Sequence, residues 1–146
     1  MKFSIWKVFW AGVLFAFLSQ IIHTLGSWLT MGYYTNPAYF SVWSKIMMPN
    51  AGPPPASFYL YSILFGVVGG IFVALVYGVV KNSVPGKTVA RKGLNFGVLA
   101  FLIGGVSGFL MMLLLINLPA ALVLYWAFES LVIYLLGGMV IAWVMR

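Results

Sequence analysis

A single acidic side chain, Glu129, lies inside an otherwise apolar run of residues 119–145. This run is longer than the roughly 20 residues with which an α-helix crosses the core of a bilayer. A helical rise of about 1.5 Å per residue from Pro119 puts the carboxyl group about 15 Å below the membrane surface, near the midplane. Because an ionisable group at that depth is costly unless protein surrounds it, we expect the other helices to shield Glu129 from lipid.

The composition excludes a soluble domain. Of the 146 residues, 64% are hydrophobic and 6% are charged, whereas about a quarter of the residues in a soluble domain are charged. We therefore predict an all-α integral membrane protein, a bundle of four transmembrane helices in a single membrane domain of residues 1–146. The predicted spans cover approximately residues 3–29, 58–80, 94–116 and 120–144, with an outer loop at 30–57 and a cytoplasmic loop at 81–93.

The basic residues predict the orientation of the chain. Eight Lys and Arg residues stand against one acid, which gives a net charge of +7. Lys45 lies in the first loop, and the other seven fall on the opposite side of the four spans: Lys2, Lys7, Lys81, Lys87, Arg91, Lys92 and Arg146. The positive-inside rule makes that side cytoplasmic, so we expect both termini in the cytoplasm of a bacterial or archaeal cell. The charge then indicates topology and contact with the lipid bilayer, and no nucleic-acid partner is expected.

The outer loop mixes aromatic and polar residues. Asn36 followed by Pro37 is a helix-start signal, and Pro49 is a stop signal. Residues 38–48 are therefore predicted to form a short amphipathic helix lying in the membrane interface. Its aromatic residues either anchor the loop in the interface or form a docking surface for a partner or a hydrophobic ligand.

Small residues recur at four-residue intervals in the second and third spans. Such spacing makes a flat face on which another backbone approaches closely, which is how helices associate in lipid. We expect tight helix contacts, within the chain or between chains, at these positions: Gly66, Gly70, Ala74 and Gly78 in the second span, Ala100, Gly104 and Gly108 in the third, and Gly137 and Gly138 in the fourth.

A candidate intramembrane polar site surrounds Glu129. Counted from the cytoplasmic end of the first span, Ser19 and Gln20 lie about 18 to 20 Å up, close to the predicted level of the acid, and His23 lies about 24 Å up. We therefore predict that Ser19 and Gln20, together with Tyr125 of the fourth span, are its partners, and that His23 is less favoured. Two interpretations stay open, a helix-to-helix hydrogen bond and an ion path or proton relay.

Catalysis and metal binding have few residues to support them. The chain has no Cys and no Asp, and it has one His and one Glu. Neither a catalytic triad, nor a two-carboxylate site, nor a set of three or four metal ligands can be assembled from these residues. We expect no enzyme activity, no metal and no cofactor. One chain cannot hold a haem between two histidines, although a haem shared with another subunit through His23 stays open.

Two classes of function fit this pattern. The first is a non-catalytic integral membrane subunit, a structural or assembly component that packs against other membrane subunits or copies of itself. The second is a small proton- or cation-coupled transporter or channel that uses Glu129 and binds its cation between the rings of Tyr125 and Trp126. Its layout is similar to that of small multidrug resistance transporters, which also have four helices and one embedded Glu. In that family the acid lies in the first helix and the loops are short, so the likeness stops at the layout.

Overall fold

The computed structural model describes residues 4–50 and 52–146. Within those residues the chain is helical and contains no strand. The predicted start of the first span at residue 3, and Lys2, lie outside the described residues. The elements in chain order are α1 (Ile5–Leu29), α2 (Met31–Tyr34), a 3-10 helix (Pro37–Val42), α3 (Ala56–Val80), α4 (Val89–Ala100), a π-helical segment (Phe101–Val106), α5 (Ser107–Leu115) and α6 (Ala120–Val144).

Four helices of the described chain are long and apolar enough to cross a membrane, as the sequence predicts. Three are α1, α3 and α6, with 25 residues each. The fourth is the continuous run Val89–Leu115, made of α4, the π-helical segment and α5, and is called the third long helix below. It begins at Val89 and not near residue 94, because the Thr88 hydroxyl caps it by accepting a hydrogen bond from the Arg91 N–H. Hydropathy misses this first turn since it carries charged residues.

Each long helix packs mainly against one or two of the others. Helix α1 packs between α3 and α6, and α4 packs on α6, whereas α3 and α6 make few contacts with each other. The series of neighbours is therefore α3, α1, α6 and the third long helix, and its two ends meet where the rings of Tyr77 and Phe96 lie 5.0 Å apart. At one end, called the basic end, α1 begins and α6 finishes, and Lys7 Nζ donates a 2.8 Å hydrogen bond to the Arg146 carbonyl. At the other, called the loop end, residues 30–55 connect α1 to α3.

The small residues predicted to make close helix contacts lie against different helices. On α3, a β-carbon added at Gly70 would collide with the Gly12 carbonyl of α1, and one added at Gly66 would lie 3.4 Å from the Ala16 side chain. Ala74 and Gly78 are buried on the same helix. These contacts bring the backbones of α1 and α3 together within one chain.

On α6, Gly137 lies against the ring of Phe15, and Gly138 lies against the backbone of Gly93 and Gly97 in α4. In the half of the third long helix nearer the loop end, by contrast, the glycines have few neighbours. A β-carbon at Gly104 would meet only the Tyr134 hydroxyl, at 3.9 Å, and one at Gly108 would meet nothing within 4 Å. Ala100, at the junction, is half-buried.

The predicted short amphipathic helix over residues 38–48 is not confirmed. A 3-10 helix ends at Val42, and residues 45–47 form a turn in which the Ser44 hydroxyl accepts a hydrogen bond from the Met47 N–H. The start is as expected, because the Asn36 side chain accepts a 3.0 Å hydrogen bond from the Ala38 N–H. The aromatic side chains that would have made an apolar helix face instead fold onto the start of α6.

Candidate functional site

The Glu129 carboxyl group lies between α6 and α1, and the residue is only 6% exposed. Its Oε1 contacts Nδ1 of His23, one and a half turns before the end of α1. Oε1 forms no hydrogen bond to any other group of the described residues. Protein therefore shields Glu129, and within the described residues its one basic neighbour is His23.

A glycine makes this contact possible. A β-carbon added at Gly26 would lie 2.6 Å from Oε2 of Glu129, 2.8 Å from its carboxyl carbon and 3.1 Å from the Tyr125 hydroxyl. The two separations from an oxygen are shorter than an ordinary contact between carbon and oxygen, about 3.3 Å or more. The carboxyl group thus lies against the bare backbone of α1, and no space remains there for a methyl group.

His23, the less favoured candidate, is the partner of Glu129, so the sequence-based ranking is wrong. That ranking measured Glu129 from the loop end and His23 from the basic end, and it assumed a core about 30 Å thick. Helix α6 has 25 residues and is about 37 Å long. Measured from the contact between Lys7 and Arg146, His23 and Glu129 both lie about 24 to 26 Å up. They are therefore at one level, in the half of the protein nearer the loop end.

Gln20 joins α1 to α3 instead of to α6. Its Oε1 accepts a 2.9 Å hydrogen bond from the Ser62 hydroxyl, and its Nε2 donates a 3.3 Å bond to the Thr24 hydroxyl. Ser19 is half-buried and forms no side-chain hydrogen bond within the described residues. The polar side chains of α1 consequently serve two neighbouring helices, with Gln20 facing α3 and His23 facing α6.

An aromatic cluster covers the site at the loop end. Trp126 Nε1 donates a 2.9 Å hydrogen bond to the Tyr34 hydroxyl, and the two rings stack with centroids 6.3 Å apart. Trp43 packs on both rings, at 5.2 Å from Tyr34 and 6.2 Å from Trp126. Trp126 therefore contacts aromatic residues of the loop, and the rings fill the space beside it.

Burial raises the pKa of Tyr34 above its usual value of 10, against the lowering effect of hydrogen bonds with Thr30 and Trp126. The charge of nearby Glu129 acts in the same direction as burial. The Tyr34 hydroxyl accordingly keeps its proton at neutral pH and has that proton to donate. The Trp43 side chain is 9% exposed, and its Nε1 has no hydrogen-bond partner within the described residues.

Sequence reasoning missed Gly26, Tyr34 and Trp43. Gly26 carries a usable signal, because it lies three residues after His23 on the same side of the helix, and a glycine there indicates a close backbone approach. No such signal exists for Tyr34 and Trp43. They lie far from Glu129 in sequence, and only the fold of the loop brings them to Trp126.

No family model, curated protein or solved structure matches this chain.

The site can bind or exchange a proton. Glu129 is a carboxyl group with one basic neighbour, and the His23 side chain is 50% exposed, so the imidazole connects a buried acid with its surroundings. No cluster of three metal-ligating His, Asp or Glu residues exists in the described part of the chain. The arrangement supports acid–base chemistry and electrostatic attachment of α1 to α6.

Proposed function

We propose that this protein is a non-catalytic integral membrane subunit that packs against other membrane helices, either those of a larger complex or those of its own copies. It lies in a bacterial or archaeal plasma membrane with the basic end in the cytoplasm, and its loop lies at the opposite interface. The observation that carries the proposal is the face of the third long helix at Gly104 and Gly108, where the chain's own helices leave a gap.

Other glycines of this protein show what small residues do in its helices. Gly70 lies against the backbone of Gly12, and Gly138 lies against the backbone of Gly93, so small residues here serve close helix contacts. Gly104 and Gly108 have the same four-residue spacing on a helix with few buried residues. Small residues favour association in lipid because they let two backbones approach closely. A helix from another subunit fits this face in the way α3 fits α1.

The polar groups are consistent with a structural task. The Glu129 carboxyl group is in contact with both His23 and the backbone of Gly26, which leaves no room for a substrate between α1 and the acid. The bond from Trp126 to Tyr34 attaches the loop to α6. The site therefore fixes the relative positions of two helices and the loop.

Cysteine crosslinking tests the proposal, since the native chain has no cysteine. We expect Gly108→Cys to form a disulfide with a second copy, or a bifunctional crosslink to a partner, in native membranes. The matched control is Leu110→Cys, two residues away, about 200° around the helix and 61% exposed. Isolation in mild detergent with mass analysis then identifies the partner. Equal crosslinking at the two positions, or none at Gly108, would contradict the proposal.

A second candidate is a small proton- or cation-coupled transporter or channel. The observation that favours it is the contact between buried Glu129 and half-exposed His23, through which a proton can be exchanged. Reconstituted alone in liposomes, such a protein would conduct protons or couple them to flux of an organic cation. Glu129→Gln, which keeps shape and hydrogen bonding, would abolish that flux. Absence of flux from the unaltered protein would remove this candidate.

A further inference from the structure

The basic end contains a cavity of about 270 Å³ between the ends of α3 and α6 and the start of α4. Four cationic side chains line it, and its inner wall includes Tyr77, Ala142 and Met145. The cationic residues are Lys81, Lys87, Lys92 and Arg146. This cavity is separate from the Glu129 site, which lies near the loop end.

The loop that carries Lys87 is held in place by several contacts. Val84 is 4% exposed and belongs to the apolar core, and Asn95 Nδ2 donates a 2.7 Å hydrogen bond to the Pro85 carbonyl. Gly86 has φ of +149°, and a β-carbon there would lie 2.7 Å from the backbone nitrogen of Lys92. Lys87 is therefore anchored beside the start of α4 by a shaped turn.

No acidic side chain lies beside the cavity to offset these charges. The only acidic side chain is Glu129, and it lies near the opposite end. Lys81 Nζ donates to the Met145 carbonyl at 3.0 Å, and Lys92 Nζ donates to the Lys81 carbonyl at 3.4 Å. An ammonium group has three donors, so each of these two retains donors for a ligand. Four clustered cations repel one another until an anion binds among them.

Two neutral features also suit an anion. The Tyr77 side chain lines the cavity, is 3% exposed, and forms no side-chain hydrogen bond within the described residues. The cavity also borders Thr88 and Val89, where α4 begins. The first N–H groups of a helix lack intrahelical partners and attract negative charge. These features place neutral donors beside the ammonium groups.

We propose that this cavity binds a phosphate group through Lys81, Lys87, Lys92 and Arg146. A phosphate group offers several acceptor oxygens and a charge that these donors and cations complement. If the long helices span the membrane, the cavity lies at the level of the lipid headgroups, where basic pockets between helices hold anionic lipids. The phosphate then belongs either to an anionic lipid or to a free phosphate ion.

Calorimetric titration of the delipidated full chain in neutral detergent separates these sources. The probes are phosphatidylglycerol, zwitterionic phosphatidylcholine and inorganic phosphate. If phosphatidylglycerol saturates one site per chain and excess inorganic phosphate does not reduce its binding, the ligand is a lipid headgroup. Saturation by inorganic phosphate, with competition against the lipid, identifies the free ion. Either outcome supports a phosphate site, and preference for phosphatidylcholine, or no binding of the three probes, overturns it.

Two double variants, each of which removes two positive charges, localise the site. Lys87→Gln with Lys92→Gln removes two lining cations, and we expect the dissociation constant to rise about fivefold for each lost charge. Arg91→Gln with Lys45→Gln removes two exposed cations that do not line the cavity and is expected to bind as the unaltered chain does. Equal weakening of binding in the two variants, or none in the first, would show that only diffuse charge attracts the anion and would overturn the proposal.

Discussion

Gly26→Ala tests the Glu129 site without removing any polar group. The new β-carbon would lie 2.6 Å from Oε2 of Glu129 and 3.1 Å from the Tyr125 hydroxyl. To restore a contact of about 3.3 Å, the carboxyl group or the backbone of α1 has to move by about 0.7 Å. The buried carboxyl group cannot move away freely, because it also contacts His23, which lies on α1 together with Gly26.

Two opposing effects determine how much Gly26→Ala changes the free energy of unfolding. Overfilling a packed site costs about 1 to 3 kcal/mol. Replacing Gly by Ala within a helix contributes up to about 1 kcal/mol in favour of folding. We therefore expect Gly26→Ala to lower the free energy of unfolding by about 0 to 2 kcal/mol. Gly69→Ala is the control, because a β-carbon there meets nothing within 4 Å, and it should be neutral or stabilising.

A double-mutant cycle with Glu129→Ala makes the test specific. In that background the carboxyl atoms that the new β-carbon would strike are gone, so Gly26→Ala should become neutral or stabilising. The expected coupling between the two positions is about 1 to 3 kcal/mol. The assay is reversible unfolding in mixed detergent micelles, followed by circular dichroism. Additivity within about 0.5 kcal/mol would refute the placement of the carboxyl group against Gly26.

Three further changes probe the packing around the site. Gly70→Ala should destabilise the protein by about 1 to 3 kcal/mol relative to Gly69→Ala, because only the first places a β-carbon against the backbone of α1; the measurement is detergent unfolding. Trp126→Phe removes the hydrogen bond to Tyr34 and should cost about 1 kcal/mol, with a loss of near-ultraviolet circular dichroism from the cluster. Gly86→Ala should cost about 1 to 3 kcal/mol because its φ of +149° is strained for a residue with a β-carbon, and thermal unfolding would reveal it. An unaltered midpoint in any of the three would contradict the corresponding contact.

The four long helices were predictable because lipid imposes a simple condition on sequence. A span needs about 20 apolar residues, and runs of that length can be read directly. Their ends were less predictable, as the start of the third long helix shows. There the helix extends through Arg91 and Lys92, which hydropathy assigns to a loop, because Thr88 supplies a cap.

The conformation of the loop and the partner of Glu129 could not be predicted without the fold. Residues 38–48 have the mixed composition of an interfacial helix, yet their aromatic side chains find partners on α6, and those contacts override the helical pattern. To predict the partner of Glu129, the heights of residues along two antiparallel helices have to be compared. An error of one turn in either height changes the answer from Gln20 to His23, so composition and spacing alone were insufficient.

The placement of polar groups follows from the order of the helices. A polar group inside a bilayer needs a partner within the protein, because lipid offers none. Helix α1 has α3 on one side and α6 on the other, so it can satisfy polar groups in two directions. It does so with Gln20, which bonds to Ser62 of α3, and with His23, one turn later, which contacts Glu129 of α6. The acid and its basic partner thus both lie on α1 and α6, each of which packs against two other long helices. Had Glu129 been on the outward face of α3 or of the third long helix, its carboxyl group would need a partner from another chain.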